Sequence, residues 1–424
     1  MPSSVRPYVP VLLSACLLLM LSFGYRAGFG LFMQPMTEAR EWGRDVLAMA
    51  LAVQNLSWGV CAIIAGGLAD KYGNLKVLMS GAALYAAGMI LMAASVSELA
   101  IISTAGIMVG AGVAGTSFGI VLPAMARAVP EEKRGWALGL GTAAGSFGQF
   151  LVVPFMQVLV DAVGWYSALQ YLGLSALLMA LLAIPLARFG GADATSDVTP
   201  DVVSDINTDI NSEATINPDN SSLSHIAGQA FKVKSYTLLA TGFFVCGFHV
   251  AFITVHMPGY VVDLGFSASV GAWSISLIGL CNIFGSYFSG TLCGKYSMRK
   301  LLAYIYLARA VVITGFLVLP VTIGSILTFS AAMGVLWLAT VPPTSGLVAL
   351  FFGTRYMTFL YGIVFFSHQV GSFSGVWLGG WLYERFGNYD GIWYAGIILA
   401  LAAAALHWPI EERSYSSEVA IAKS

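Results

Sequence analysis

The chain has 424 residues, of which 58% are hydrophobic, against 20 basic and 21 acidic ones. An ordinary soluble domain carries about a quarter of its residues as charges, and a disordered chain pairs low hydrophobicity with high net charge, so both classes are excluded. The formal net charge of −1 offers no basic field to concentrate nucleic acid.

At about 20 apolar residues per bilayer crossing, the composition suffices for about a dozen helices. Twelve apolar runs are predicted to span a membrane, at about 8–36, 46–67, 76–96, 99–126, 136–160, 164–187, 236–260, 268–292, 300–319, 323–350, 356–382 and 391–409. The first is too long for the apolar region of a signal peptide and lacks a small-x-small cleavage site, so it is expected to be retained. The apolar stretch from Leu75 to Ala126 is divided at Ser97-Glu98.

Lys and Arg set the orientation, because cytoplasmic connectors carry the excess. With the N-terminus inside, Arg6, Lys71, Lys76, Arg127, Lys133, Arg134, Arg188, Lys232, Lys234, Lys295, Arg299, Lys300, Arg355, Arg413 and Lys423 fall on the inner side, and Arg40, Arg44 and Arg385 on the outer. Both termini are therefore expected in the cytoplasm. Arg26 and Arg309 remain, both within spans. Cys16, Cys61, Cys246, Cys281 and Cys293 lie in or at the ends of spans, where Cys serves as a small apolar residue, and no spacing suggests a metal site or a disulfide.

Residues 189–234 break the apolar pattern. Asp193, Asp197, Asp201, Asp205, Asp209, Glu213 and Asp219 stand there among Ser, Thr, Asn and Gly. Like charges four apart would repel along a helix, so an acidic, disordered cytoplasmic linker is expected. It separates an N-terminal six-helix bundle, 1–188, from a C-terminal one, 235–410, followed by a cytoplasmic tail, 411–424.

The two halves repeat each other in register. Lys71-Tyr72-Gly73-Asn74-Leu75-Lys76 returns 224 residues later as Lys295-Tyr296-Ser297-Met298-Arg299-Lys300, and Gly145-Ser146-Phe147 returns at an offset of 226 as Gly371-Ser372-Phe373. Gly24, Tyr25, Arg26, Phe29 and Pro35 match Gly247, Phe248, His249, Phe252 and Pro258 at an offset of 223. Parallel six-span repeats imply a pseudo-twofold axis along the membrane normal, with a central site between the halves.

The stretch from Gly66 to Lys76 resembles the loop motif of the major facilitator superfamily, with Gly66, Asp70, Lys71, Gly73 and Lys76 as its glycines, acid and bases. Lys295, Arg299 and Lys300 belong to the second copy, where Gly294 stands in place of the acid. Within the superfamily, Gly28-Phe29-Gly30-Leu31-Phe32 with Pro35, and Glu41-Trp42-Gly43-Arg44, resemble the bacterial branch of the monocarboxylate transporter family. The resemblance implies an all-α polytopic membrane protein, with twelve transmembrane helices in two pseudo-symmetric six-helix bundles. It further implies transport by alternating access, no enzymatic activity, no cofactor, a monomer in the lipid bilayer and a bacterial inner membrane. The chain departs from the animal members of that family, which carry an Asp and an Arg one turn apart in span eight; here Asn282 and Ser286 stand there.

No carboxylate falls within any predicted span, so Arg26 and Arg309 sit at membrane depth without an acidic partner at that depth. An unpaired charge there is costly, and a substrate carboxylate would neutralise it. Arg26 is the leading substrate-binding candidate. Its repeat-mate His249 is expected across the axis, much as phosphate-ester antiporters of the same superfamily pair cations on these two helices. Arg309 is a second candidate, for substrate or gating, against a structural hydrogen-bonding role. His249, His256 and His368 are the candidates for proton coupling. Tyr25, Asn55, Ser117 and Asn282 could orient a substrate or join helices. Gly141/Gly145 and Gly371/Gly375/Gly379 have the spacing of close helix packing. Gly110-Ala111-Gly112-Val113-Ala114-Gly115 matches a dinucleotide fingerprint, but it lies in an apolar span with no strand before it.

The function expected is secondary transport of a small organic anion, foremost a monocarboxylate, with or without protons. The alternatives are an exporter of amphipathic or zwitterionic compounds and an anion exchanger. A receptor or an enzyme finds no nucleophile, metal spacing or soluble domain to support it.

Overall fold

A chain in hydrocarbon must satisfy its backbone polar groups internally, and a helix does so within one segment. The computed structural model describes residues 8–130, 133–189, 223–353 and 357–415, and every span expected from the sequence is helical there. Span one is Val9–Arg40, span two Arg44–Tyr72, span three Asn74–Ala94 and span four Glu98–Ala128. Ser97 marks the expected break: its side chain accepts from the Ala100 amide and caps span four. Spans five and six are one run, Arg134–Ala176, continued by Leu178–Leu182 and Ile184–Phe189. The run folds back at Gly164, whose φ of 78° suits a residue without a Cβ. The second half repeats the plan with Lys234–Asp263, Ala268–Cys293, Met298–Val318, Ile323–Phe352, Met357–Phe386 and Asp390–His407 as spans seven to twelve.

Three details depart from the sequence reading. The acids at 193–219 lie outside the described residues, but the end of the expected disordered linker is a helix, Leu223–Lys232. Ile226 and Ala230, four apart, are buried, and Phe231 meets Tyr236 edge-on at 5.6 Å; this apolar face lies beyond the acidic stretch that suggested disorder. The start of the tail is also packed. Tyr415 donates its amide to the Phe351 carbonyl at 2.7 Å, and its hydroxyl lies 3.0 Å from Ser235 Oγ.

Span ten, expected to be continuous, is interrupted between Leu336 and Val341. Pro342 and Pro343 follow at once, and proline supplies no amide proton to the carbonyl one turn back. The carbonyls at the break are taken up by side chains: Ser289 Oγ donates to Ala339, and Arg309 to Leu336 and Trp337.

The halves touch where span two meets span eleven and span five meets span eight. The closest approaches within a half use glycine. A Cβ at Gly371 would overlap the Phe244 carbonyl oxygen and one at Gly375 that of Phe248, so span eleven lies directly on span seven. The fingerprint glycines serve the same purpose, Gly112 facing Tyr85 and Gly115 facing Gly81.

Among the described residues, the close contacts between the halves lie in the middle and at the end remote from residues 8 and 415. There Gly380 of span eleven faces Ala48, Asp45 and Arg44 of span two. Towards the termini Gly66, Gly67, Gly135, Gly139, Gly290 and Gly362 all have open space beside them. Among the described residues, space therefore opens beside these helices at the end where residues 8 and 415 lie.

Candidate functional site

Arg26 lies midway along span one and is half-buried. Its Nη2 donates to Asn55 Oδ1 of span two at 2.9 Å. Asn55 is itself fixed, because its Nδ2 donates to the Leu51 carbonyl at 2.9 Å. One turn on from Asn55, on the same helix face, the Trp58 ring lies under the guanidinium at 4.7 Å from its centre. Among the described residues Arg26 makes this one hydrogen bond and no ion pair, so its remaining N–H edges are available to a carboxylate.

The other half supplies the facing wall. Phe365 of span eleven meets Trp58 edge-on at 5.4 Å and stacks on His368 at 5.7 Å. His368 Nδ1 lies 3.2 Å from Gln369 Oε1. Gln369 backs against Gly59, where a Cβ would stand 3.0 Å from its Cβ, and its buried Nε2 has no hydrogen-bond partner among the described residues. Arg26, Asn55 and Trp58 thus face Phe365, His368 and Gln369 at the floor of the opening.

The remaining sequence candidates lie elsewhere. Arg309 is fully buried, and its Nη2 donates to the Leu336 carbonyl at 2.7 Å and to that of Trp337, with Cys246 Sγ at 3.6 Å. Its Nε and Nη2 meet the carbonyls that the break in span ten leaves open, which favours the structural role over the substrate role, while Nη1 is buried without a partner among the described residues. Asn282 serves the same break, accepting from the Leu338 amide at 3.0 Å while its Nδ2 reaches Ser146 of span five at 2.9 Å.

His249 does not face Arg26 across the axis. Its ring is 1% exposed and its Nε2 lies 2.9 Å from the Gly396 carbonyl oxygen of span twelve. The equivalence in sequence holds, but the side chain packs into its own bundle, against span twelve. Tyr25 turns away likewise, its hydroxyl 2.8 Å from Ser175 Oγ of span six. Ser117 donates to the Ala114 carbonyl at 3.1 Å where span four bends.

His256 belongs to a cluster at the remote end. Its Nε2 lies 2.9 Å from the Val376 carbonyl oxygen, which requires Nε2 to carry the proton, so Nδ1 accepts from Tyr389 Oη at 3.2 Å. Tyr389 Oη in turn accepts from Arg44 Nη1 at 3.2 Å. Arg44 forms a two-pronged ion pair with Asp263, 2.6 Å from Nη1 to Oδ2 and 2.7 Å from Nη2 to Oδ1, and lies over the Tyr383 ring at 4.0 Å. The pair joins span two to span seven, hence one half to the other. Sequence reading placed Arg44 on the outer side and did not join it to Asp263. It also passed over Trp58, Phe365 and Gln369; the three-residue step from Asn55 to Trp58 was the available signal.

In the loop motif, Gly66 is open, Gly73 has a φ of 87°, and Lys71 and Lys76 point over the Tyr72 ring at 5.1 and 5.9 Å. The Asp70 side chain lies outside the described residues. In the second copy, Arg299 Nη1 donates to the carbonyls of Trp408 and Ile410 at 3.1 and 2.8 Å. Glu412 accepts from the Arg299 amide at 2.8 Å and from Ser297 Oγ, so the tail provides a carboxylate to a copy whose own acid is Gly294. Lys300 donates its amide to Ser297 Oγ, and Lys295 its amide to the Leu292 carbonyl.

The sequence profile described as Major Facilitator Superfamily matches residues 15–376. The chain belongs to that superfamily. Its relatives include an uncharacterized MFS-type transporter, YcxA, of Bacillus subtilis, 23% identical over 86% of each chain. Another is monocarboxylate transporter 13 of Rattus norvegicus, 25% identical over 89% of this chain and 83% of that one. Among solved structures, a bacterial homolog of the human lysosomal transporter Spinster, inward-facing and unoccupied, superposes with a TM-score of 0.74 at 13% identity over 99% of both chains. A D-xylose-proton symporter gives 0.71 at 17% identity, over 95% of this chain and 98% of that one. This major facilitator is accordingly a multi-pass membrane transporter and not an enzyme, with the fold expected from its repeats.

Proposed function

We propose that this transporter carries a monocarboxylate, bound by Arg26 at the junction of its two bundles, 1–188 and 235–410, and moved by alternating access. The observation that carries the reading is Arg26 itself, a cation at membrane depth whose one hydrogen-bond partner among the described residues is a neutral amide. A cargo carboxylate completes it. Monocarboxylate transporters among the relatives support the same cargo class. With both termini in the cytoplasm, as the distribution of Lys and Arg favours, the opening described above faces the cytoplasm of a bacterial inner membrane. A monomer suffices, since the site is built by one chain.

Of the three histidines named for proton coupling, His368 is the one set beside the pocket, through Phe365 and Gln369. His249 and His256 are committed elsewhere. In proteoliposomes, uptake of small carboxylates should exceed that of amines of similar size, and an imposed inward proton gradient should accelerate it. In His368→Gln that acceleration should vanish. Equal uptake of amines would overturn the anion reading, and an unchanged response to the gradient would remove His368 from the coupling.

A further inference from the structure

A carboxylate takes up only the charged edge of the pocket, and the body of the cargo must lie against what surrounds it. Those surroundings are flat and apolar. Trp58, 8% exposed, lies between the guanidinium of Arg26 and the edges of Phe365 and Phe23, the latter at 6.0 Å. Phe23 stacks on Phe118 at 4.1 Å, and Phe365 on His368 with the two rings within 9° of parallel. The half-buried phenylalanine rings and the buried Trp58 thus run from span four across span one and span two to span eleven, passing from one bundle to the other.

Hydroxyl-bearing cargo would need further polar partners. Asn55 is already used at both ends of its amide, by Arg26 and by the Leu51 carbonyl. Among the described residues, the unpartnered amide donor beside Trp58 is Gln369 Nε2, buried next to Gly59. It can donate to a second carboxylate lone pair; the remaining wall is aromatic rings, which give a cargo hydroxyl no acceptor, and a cargo ammonium group would be repelled by the Arg26 guanidinium.

Resting on the anion reading above, we infer that the cargo is an arylcarboxylate, an aromatic ring joined to a single carboxylate. Its carboxylate lies against the free edge of Arg26 and its ring enters the series formed by Trp58, Phe365 and Phe23. An edge-to-face or stacked ring pair contributes about 0.5–1.5 kcal/mol beyond the area it buries. Two such contacts separate an aryl from a short alkyl carboxylate of the same charge. Because Trp58 and Phe365 come from different bundles, the ring also touches both halves at once, which links cargo shape to their relative movement.

The test uses the full chain in proteoliposomes, taking up labelled phenylacetate in competition with unlabelled benzoate, propionate, L-lactate and benzylamine. Benzoate should compete at least about tenfold more strongly than propionate or lactate. In Trp58→Leu and Phe365→Leu that preference should fall to about unity, while Trp58→Phe, which keeps a ring, retains most of it. If all three carboxylates compete equally and Arg26 is still required, the arylcarboxylate inference fails while the anion reading stands. If benzylamine competes as well as benzoate and Arg26 is dispensable, the anion reading fails and this inference with it. The wild-type competition series needs no variant, so poor folding of a substituted chain leaves the outcome decided.

Discussion

Alanine at position 26 is expected to abolish carboxylate uptake, a loss of about 100-fold or more, while the protein still inserts and melts close to the wild type. Truncating one partner of a desolvated charge pair costs about 2–5 kcal/mol, and every 1.4 kcal/mol is about tenfold. The folding cost is small by comparison, because Arg26 gives the bundle one hydrogen bond, to Asn55, and one ring contact, to Trp58. Removing it leaves Asn55 Oδ1 without that donor, beside the space the side chain vacates, which water can enter. Lysine at the same position keeps the charge but not the planar fork that meets a carboxylate with two parallel bonds, so partial uptake with a raised KM should result. Uptake of labelled phenylacetate or lactate, beside a melting curve of the purified variant, makes the distinction. Wild-type rates in Arg26→Ala would remove the residue from the site.

The second large effect concerns the ion pair at the opposite end of the molecule. Arg44 and Asp263 form the charged connection between span two and span seven where the halves are closed, with side chains 11% and 25% exposed. A two-pronged guanidinium–carboxylate pair of this kind is both directional and partly shielded from water. Alternating access requires that end to open, so the pair must break once per cycle. Arg44→Ala or Asp263→Ala should shift the population towards the conformation open at that end. A cysteine at Val262, beside the cleft formed by Gln34, Pro35 and Pro258, should then react with a membrane-impermeant maleimide roughly tenfold faster, the change expected for a shift of about 1.4 kcal/mol. Exchanging the two charges, Arg44→Asp with Asp263→Arg, should restore slow labelling. Unaltered labelling in both single variants would deny the pair a part in holding that end shut.

The fold was legible because hydrophobicity, connector charge and the repeat each carry it redundantly. Losing one span boundary changes nothing when two copies share a register. The site was legible only in part, for a physical reason. Counting charges identifies which residues are costly at membrane depth, and it found both Arg26 and Arg309. It cannot tell which cation has its charge satisfied by backbone carbonyls, since carbonyls leave no mark in composition. The mark existed one span away, in Pro342-Pro343, which opens the helix that Arg309 then repairs. His249 failed differently. Repeat symmetry fixes which residue is equivalent to which in sequence but not which neighbour its side chain meets, here Gly396 of its own bundle. Trp58 and Phe365 went unnoticed because aromatic residues are ordinary in any apolar span, and only their meeting across the junction sets them apart.

The solitary charge of Arg26 also bears on the journey without cargo. To reset, an unloaded carrier must pass through a state sealed from water on both sides, with an unneutralised guanidinium inside. A loaded carrier makes the same passage with that charge balanced. The return of the empty protein should therefore be the slow step, and turnover should quicken whenever a second anion waits on the far side. Efflux of preloaded phenylacetate accelerated several-fold by external benzoate would be the kinetic signature, the barrier to the empty return lying about 1 kcal/mol or more above that of the loaded one. Equal efflux with and without external anion would mean that water entering the sealed pocket solvates Arg26 as well as any cargo does.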